Sequence, residues 1–245
     1  MLRIRIVSFL LLSLSIFVSG QDKIELDRPD QTETPFVVPK NFFQFESGFL
    51  SEKTANGEMH YVIPSVLWKY GINGNTELRL ITEISSETGI TKLEPIKVGF
   101  KTSLFEPKGI IPKTSFIGHL EIAKDDSENT RLIPSFRFVF QNDLSESVDL
   151  GYNLGMEWDE DMQEDYIYTL TVGKSFTKKL RGYVELYGFM SHYHTADNRI
   201  DSGIIYLVNN DFALDFSLGN GLSHISSKHF FSFGISHRFD LKKHS

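Results

Sequence analysis

Large hydrophobic side chains alternate with small or polar ones along most of this chain. The clearest case runs from Val148 to Trp158, where every second residue is apolar. The residues between them are Asp149, Gly151, Asn153, Gly155 and Glu157. A β-strand places alternate side chains on opposite faces, whereas a helix would scatter both sets around its axis. The segment is therefore predicted to be a two-faced strand.

The same alternation recurs along the chain. Its apolar faces begin at Phe43, Leu78, Ile96, Leu132, Phe212 and Phe231. Weaker strand patterns cover Met59–Tyr70, Lys113–Ile122, Tyr166–Phe176, Arg181–Tyr193 and Ser202–Val208. Arg181–Tyr193 is apolar on both faces, so its orientation stays open. The total is about twelve strands, an even number as expected for bacterial single-chain barrels.

Two kinds of barrel fit this alternation, because the pattern alone does not say which face points outward. A soluble, lipocalin-like barrel turns its apolar faces inward, but such barrels usually have about eight strands. The sequence contains 21 Phe, 9 Tyr and 18 Gly, yet no apolar run after residue 20 is long enough to span a membrane as a helix. This combination favours an all-β, transmembrane, up-and-down antiparallel β-barrel with lipid as its outer partner.

The connections and aromatic residues also suit a membrane barrel. Compact turns such as Gly71–Asn75, which contains an Asn-Gly hairpin signal, alternate with polar connections such as Ser51–Gly57 and Ser85–Leu93. One predicted aromatic girdle consists of Phe43, Tyr70, Phe105, Phe140, Phe176, Phe212 and Phe239, and the other of Phe49, Tyr61, Trp158, Tyr166 and Tyr193. Rings of this kind favour the membrane interface.

The first twenty residues have the pattern of a secretory signal peptide. Arg3 and Arg5 precede an apolar stretch from Ile6 to Val18, and small residues follow it. The expected organisation is a signal peptide at 1–20, a periplasmic or lumen-docked segment at 21–40, a barrel at 41–240 and a tail at 241–245. We expect the protein in the outer membrane of a Gram-negative bacterium.

Composition excludes several classes of function. The chain has no cysteine, which rules out a lipoprotein anchor, disulfides and thiol chemistry. Its formal net charge of −7 argues against nucleic acid as a partner. His192 and His194 lie near Ser191, but no third group is placed to complete a catalytic triad, and the histidines lack metal-ligand spacing. We therefore expect neither an enzyme nor a cofactor or metal site.

Charged residues on the polar faces are the candidates for a functional site, because these faces should line the lumen. They are Glu46, Glu77, Arg79, Glu83, Lys97, Lys101, Arg137, Glu157, Glu185, Asp215 and Arg238. They could serve solute passage or pair with one another as structural ion pairs, and the two roles are compatible.

The segment before the first strand adds four more charged candidates. They are Asp27, Arg28, Asp30 and Glu33. This acidic stretch is expected to dock at the lower mouth of the barrel against Lys97, Lys101, Arg137 and Arg238. The alternative is a disordered tail, which is common at chain termini.

Several motifs resemble a bacterial outer-membrane transporter-like β-barrel family related to the meta-pathway phenol-degradation proteins. The motifs are Asp27-Arg28-Pro29-Asp30-Gln31-Thr32-Glu33-Thr34, Val37-Val38-Pro39, Phe43-Gln44-Phe45-Glu46, Leu67-Trp68-Lys69-Tyr70-Gly71, Glu77-Leu78-Arg79, Ile96–Lys101, Asn153–Gly155, Val184–Gly188 and Phe233–Phe239. The resemblance covers nearly the whole mature chain. It implies a barrel that takes up small hydrophobic or aromatic molecules.

The sequence thus predicts passage of small-molecule solutes across the outer membrane. The alternative is a structural or closed barrel without transport activity, its lumen shut by its own ion pairs. The oligomeric state stays open.

Overall fold

The computed structural model describes residues 23–124 and 127–244, and the predicted signal peptide lies outside them. The strands in this described part are β1 (Phe42–Lys53), β2 (Met59–Gly71), β3 (Thr76–Glu87), β4 (Ile90–Leu93), β5 (Ile96–Phe105), β6 (Lys113–Lys124), β7 (Thr130–Asp143), β8 (Val148–Trp158), β9 (Glu164–Ser175), β10 (Leu180–Ser191), β11 (Asp197–Asn209), β12 (Phe212–Gly221) and β13 (His229–Asp240). A short 3-10 helix, Leu241–His244, follows. No helix in the described residues is long and apolar enough to cross a membrane.

The strands close into a barrel. Each strand pairs antiparallel with its neighbours, and β1 closes the ring by pairing with both β2 and β13. Twelve strands form the wall, because β4 pairs only with the far end of β3. The predicted up-and-down barrel of about twelve strands is confirmed.

The segment Ser85–Leu93 differs from its prediction as a connection. β3 continues to Glu87 and pairs there with β4, so this hairpin rises beyond the barrel wall. Ile84 faces Leu93 while Ile81 faces Lys97, which leaves one extra residue between β4 and β5. Pro95 lies at this irregularity, where its missing N–H costs no ladder hydrogen bond.

The barrel is apolar outside and polar inside. On neighbouring positions of β8, Leu154 is 56% exposed and Asn153 is 0% exposed; on β10, Val184 is 55% exposed and Glu185 is 1% exposed. A continuous belt of exposed hydrophobic side chains around a closed sheet is the surface of a membrane barrel. The lipocalin-like alternative, which needs the reverse polarity, is therefore wrong.

Pro64 and Pro134 each interrupt a predicted strand, and because proline cannot donate to the ladder, the sequence predicts a bulge at both positions. The two behave differently in the structure. The pairing of β2 with β3 shifts register between Val62 and Ser65, so Pro64 does lie in a bulge. Pro134 keeps regular register with Leu120 of β6. It is accommodated because the pairing of β7 with β8 extends only as far as Ser135. The bulge predicted at Pro134 is wrong.

Candidate functional site

An inner segment, residues 23–41, occupies the lumen. It starts at the end of the barrel that carries the short turns, where the Ile24 amide donates to the Asn210 carbonyl at 2.7 Å. It rises to a tip at residues 28–32 and returns to the same end, where the Asn41 amide donates to the Gly71 carbonyl at 2.9 Å. We call this end the turn end and the opposite one the loop end. In outer-membrane barrels the short turns face the periplasm.

Asp27 anchors the inner segment through a buried cluster of cations. The Lys101 ammonium lies 2.7 and 2.9 Å from its two carboxylate oxygens, and the Lys69 ammonium and Arg79 guanidinium lie 3.0 Å away. The side chains of all four residues are at most 2% exposed. Burial alone opposes ionisation, but Lys101, Lys69 and Arg79 hold the pKa of Asp27 well below its usual range.

Glu33 provides a second anchor on the same wall. Arg79 donates two hydrogen bonds of 2.8 Å to its carboxylate, in a bidentate geometry that adds directional specificity. Asn153, from the other side of the lumen, accepts from the Glu33 amide at 2.8 Å. Glu77 accepts from Arg79 at 3.1 Å and from the Val38 amide at 2.6 Å. Both arms of the inner segment are thus held by strand residues.

Lumen carboxylates also bind the backbone of the inner segment. Glu46 accepts from the amides of residues 27 and 28 at 2.9 and 3.0 Å, and Glu185 accepts from those of residues 31 and 32 at 2.8 and 2.7 Å. Buried amides need partners, and this part of the segment forms no regular secondary structure that could supply them. The strand carboxylates therefore accept the hydrogen bonds that backbone carbonyls would accept in a regular strand or helix.

Arg28 attaches the tip to the part of the wall formed by β12 and β13. Its guanidinium donates to Asp215 at 3.1 Å and to Ser232 at 2.8 Å. Two glycines make room for it: a Cβ on Gly48 would lie 2.1 Å from the guanidinium carbon, and a Cβ on Gly234 would lie 2.7 Å from Nε. A larger residue at either position would displace the arginine.

Two cavities lie on either side of the tip. The lower one, about 610 Å³, opens among the turn-end residues and is lined in part by Leu26, Asp30 and Arg181. The upper one, about 320 Å³, lies toward the loop end and has Arg28 and Gln31 in its floor. The tip is thus the partition between them.

The inner face of β10 carries an aromatic strip that runs past this partition. Tyr183 lines the lower cavity, whereas Tyr187 and Phe189 line the upper cavity together with Phe230 of β13. Tyr183 and Tyr187 are 5% and 4% exposed. The sequence left the facing of this strand open because its outer face is apolar as well, so the strip was not predicted.

Most predicted lumen residues are buried inside the barrel. The buried ones are Glu46, Glu77, Arg79, Lys101, Glu185, Asp215 and Arg238; the half-buried ones are Glu83, Lys97, Arg137 and Glu157. Glu83 accepts from the Ser65 hydroxyl at 2.6 Å. Glu157 stands between Ser135 and Asp165 in the strand register.

The predicted docking partners are only partly those observed. Lys101 contacts Asp27, Arg137 donates to the Gln31 carbonyl at 3.2 Å, and Arg238 donates to the Lys23 carbonyl at 3.1 Å. Lys97 instead pairs with Glu121 at 3.1 Å. Sequence reasoning also missed Lys69, although its place between Trp68 and Tyr70 gave the signal of an inward-facing cation.

The histidines at the loop end form no catalytic arrangement with Ser191. Its hydroxyl donates to the Glu164 carbonyl at 3.1 Å, and His194 lies 3.0 Å from Asp165. Within residues 23–124 and 127–244, no group of three acidic or histidine side chains is arranged to hold a metal ion.

Comparison with known proteins gives one family and several similar folds. A family model described as "Putative MetA-pathway of phenol degradation" matches residues 26–239. An outer membrane channel from Pseudomonas putida F1 superposes with a TM-score of 0.64 at 11% identity, covering 88% of this chain and 100% of that chain. The KdgM porin in complex with disordered oligogalacturonate gives 0.55 at 11% identity, covering 80% and 99%. The NanC porin gives 0.55 at 10% identity, covering 80% and 98%. No curated protein sequence matches the chain.

Proposed function

This chain belongs to the MetA-pathway of phenol degradation family, and we propose that it passes small solutes, including hydrophobic and aromatic ones, across the outer membrane. Its fold is that of outer-membrane channels. One observation carries the proposal: the tip of the inner segment, residues 28–32, contributes lining residues to both lumen cavities.

The cavities suit a small, partly apolar solute. Volumes of about 610 and 320 Å³ fall within or near the range of small-molecule sites. Tyr183, Tyr187 and Phe189 offer ring faces on one wall, and the Glu52–Arg199 pair, 3.1 Å apart, neutralises charge in the upper cavity. An aromatic wall beside paired charges favours a neutral or weakly polar solute over a highly charged one.

We expect passage to begin with movement of the tip. The tip is held by Arg28 on Asp215 and Ser232 and by the amides of residues 31 and 32 on Glu185. Hydrogen bonds to charged groups contribute about 1.5–3 kcal/mol each, so releasing one of these attachments is a modest local step. The Asp27 cluster can stay intact while the tip shifts.

A closed barrel without transport activity is the second candidate. It is favoured by the buried cluster of Asp27 with Lys69, Arg79 and Lys101, which fills one side of the lumen with paired charge. Both candidates predict an assembled barrel, so only permeability separates them.

Single-channel recording and liposome swelling with small aromatic solutes test the proposal. We expect low conductance in the unmodified protein and higher conductance after Gly48→Ala, because the new methyl group displaces Arg28 from the partition. Gly118→Ala is the matched control, since its added Cβ lies 3.3 Å from the Phe100 ring on the lipid face. A difference in gel mobility between heated and unheated samples checks that each protein is assembled. Equal, near-zero permeability of all three assembled proteins would support the closed barrel instead.

A further inference from the structure

The barrel wall is interrupted on both sides of β2 at the same level. Ile63 and Pro64 have no register partner on either neighbouring strand. On β1 they are opposed by Phe49 alone, and on β3 by Ile84 alone. A bulge leaves its extra residue unpaired and disrupts the ladder locally. At this level, which we call the Ile63–Pro64 bulge, β2 is therefore less firmly held to both neighbours than elsewhere.

The other edge of β3 is also free of the wall near this level. Ile81 is the last residue of β3 that pairs with β5, and from Ile84 onward β3 pairs with β4 instead. In this part β3 and β4 form a hairpin whose remaining neighbour among the described strands is β2. The hairpin can therefore move away from β2 at the bulge without breaking the ladder between β3 and β5.

The upper cavity lies directly behind the Ile63–Pro64 bulge. Its lining includes the four inward-facing residues around the bulge: Leu50, Val62, Ser65 and Glu83. The Ser65 hydroxyl donates to the Glu83 carboxylate at 2.6 Å. A side-chain hydrogen bond thus links β2 to β3 on the lumen side of the place where their ladder is interrupted.

The outer side of the bulge is apolar, and its two edges differ. Ile63 is 51% exposed and Ile84 is 38% exposed, so both contribute to the lipid-facing surface. On the β1 edge, the Phe49 ring packs 6.4 Å from that of Tyr61 and 5.4 Å from that of Phe233. This aromatic cluster reinforces the β1 edge, whereas Ile84 alone covers the β3 edge. The β3 edge is therefore the one that can open.

We propose that the Ile63–Pro64 bulge is a lateral gate, through which a small apolar aromatic solute passes from the upper cavity into the outer leaflet of the membrane. The gate opens by separation of the β3–β4 hairpin from β2. The proposal rests on the proposed function for the arrival of such a solute in the lumen. The bulge lies toward the loop end, which in outer-membrane barrels faces the outside.

The physical chemistry of this step suits an apolar solute. Its transfer from a hydrated lumen to hydrocarbon is favourable in proportion to its apolar surface. Backbone groups exposed to lipid must keep hydrogen-bond partners, and Pro64 has no N–H that would lose one. A hydrophilic solute gains nothing from this exit and stays in the lumen.

Deletion of Pro64 tests the gate by closing it. With one residue fewer, Ile63 stands opposite both Phe49 and Ile84, and the ladders of β2 with β1 and β3 become continuous. The variant should therefore assemble and keep its folded gel mobility to at least the same temperature as the unmodified protein. The probe is N-phenylnaphthylamine, an apolar dye that fluoresces in lipid and is excluded by an intact lipopolysaccharide leaflet. Its rate of entry into intact cells should fall to that of cells without the protein.

A reversible cross-link tests the same gate in a chain of unchanged length. The protein has no cysteine, so Ser65→Cys with Glu83→Cys supplies the one pair of thiols. The two residues are direct register partners, and such positions are close enough for a disulfide. Oxidation should stop dye entry, and reduction should restore it. If the deletion variant does not assemble, this cross-link carries the test.

Ser135→Cys with Glu157→Cys is the matched control. It replaces the same two residue types at register partners on β7 and β8, and both positions are half-buried on the lumen side. Oxidation of this pair should leave dye entry unchanged.

Two results would overturn the gate: dye entry in the deletion variant as fast as in the unmodified protein, or equal slowing by the two cross-links. No dye entry above background in the unmodified protein would overturn it as well. Conductance and liposome swelling judge the proposed passage separately. If both are absent while dye entry still depends on the bulge, passage past the tip is rejected and the gate stands.

Discussion

Asp27→Asn should release the inner segment from the lumen while the barrel stays assembled. Asparagine has nearly the same shape as aspartate, so the change removes one charge with little loss of packing. The carboxylate now lies within 3.0 Å of nitrogen atoms of Lys69, Arg79 and Lys101. The substitution therefore leaves three buried cations with less negative charge around them.

The structure sets the size of this effect. Breaking a buried ion pair costs about 3–5 kcal/mol when the partner is left uncompensated. Here each cation keeps another partner: Glu46 for Lys69, Glu33 for Arg79, and the Thr34 carbonyl at 2.8 Å for Lys101. We therefore expect the lower end, about 3 kcal/mol. Since 1.36 kcal/mol is a factor of ten, the undocked population should rise roughly 100-fold.

Hydrogen–deuterium exchange measures this population at the amides that the lumen carboxylates hold, those of residues 27–28 and 31–32. Exchange at these amides should accelerate strongly, while the amides of β8 and β9 stay protected. Glu25→Gln is the control, because it removes a carboxylate of the same segment that lies at the wall of the lower cavity. Exchange in Asp27→Asn no faster than in Glu25→Gln would refute the anchoring role of Asp27.

Three further outcomes follow from the same structure. Leu154→Arg should destabilise the barrel by about 2–4 kcal/mol and Glu157→Arg, at a half-buried lumen position beside Asp165, by less, as measured by urea unfolding in lipid vesicles; equal costs would contradict their facing. The lowered pKa of Asp27 means that its docking contribution is present above the ordinary value of 3.8 and is lost only as pH falls below it. Exchange protection of the Thr34 amide, which donates to the Asp27 carboxylate at 3.0 Å, should therefore persist from pH 7 to about pH 4; loss near pH 5 would contradict this. Gly234→Ala should loosen Arg28 as Gly48→Ala does, and unchanged tip exchange in both would refute that close approach.

The faces of most strands were predictable from sequence because lipid and lumen impose opposite polarities on alternate residues. Leu154 outside and Asn153 inside follow from that rule, and the structure agrees. The rule fails on β10, where Tyr183 and Tyr187 are large and partly apolar yet face the lumen. They can do so because the inner segment and the cavity walls, not bulk water, surround them.

The contacts of the inner segment were less predictable than its position. An acidic stretch near inward-facing cations suggests docking, and Lys101 does bind Asp27. However, the alternation of polar and apolar residues within one strand does not predict how far along the barrel axis each residue lies. Lys97 lies four residues further from the turn end than Lys101 on the same strand, and it pairs with Glu121, while Arg79 binds Glu33. Such pairings depend on register across several strands, which no single segment encodes.

The inner segment is best understood as part of the barrel's interior. A twelve-stranded lumen is too wide for its own side chains to fill, so water would normally surround the charges on its wall. Here Glu46, Glu77 and Lys101 are 0% exposed, which requires every one of them to be paired or hydrogen-bonded. Withdrawing the whole segment would leave these charges without Asp27 and the backbone groups they hold. Opening is therefore least costly at the tip, where Arg28 is still 18% exposed and its partners lie beside a cavity.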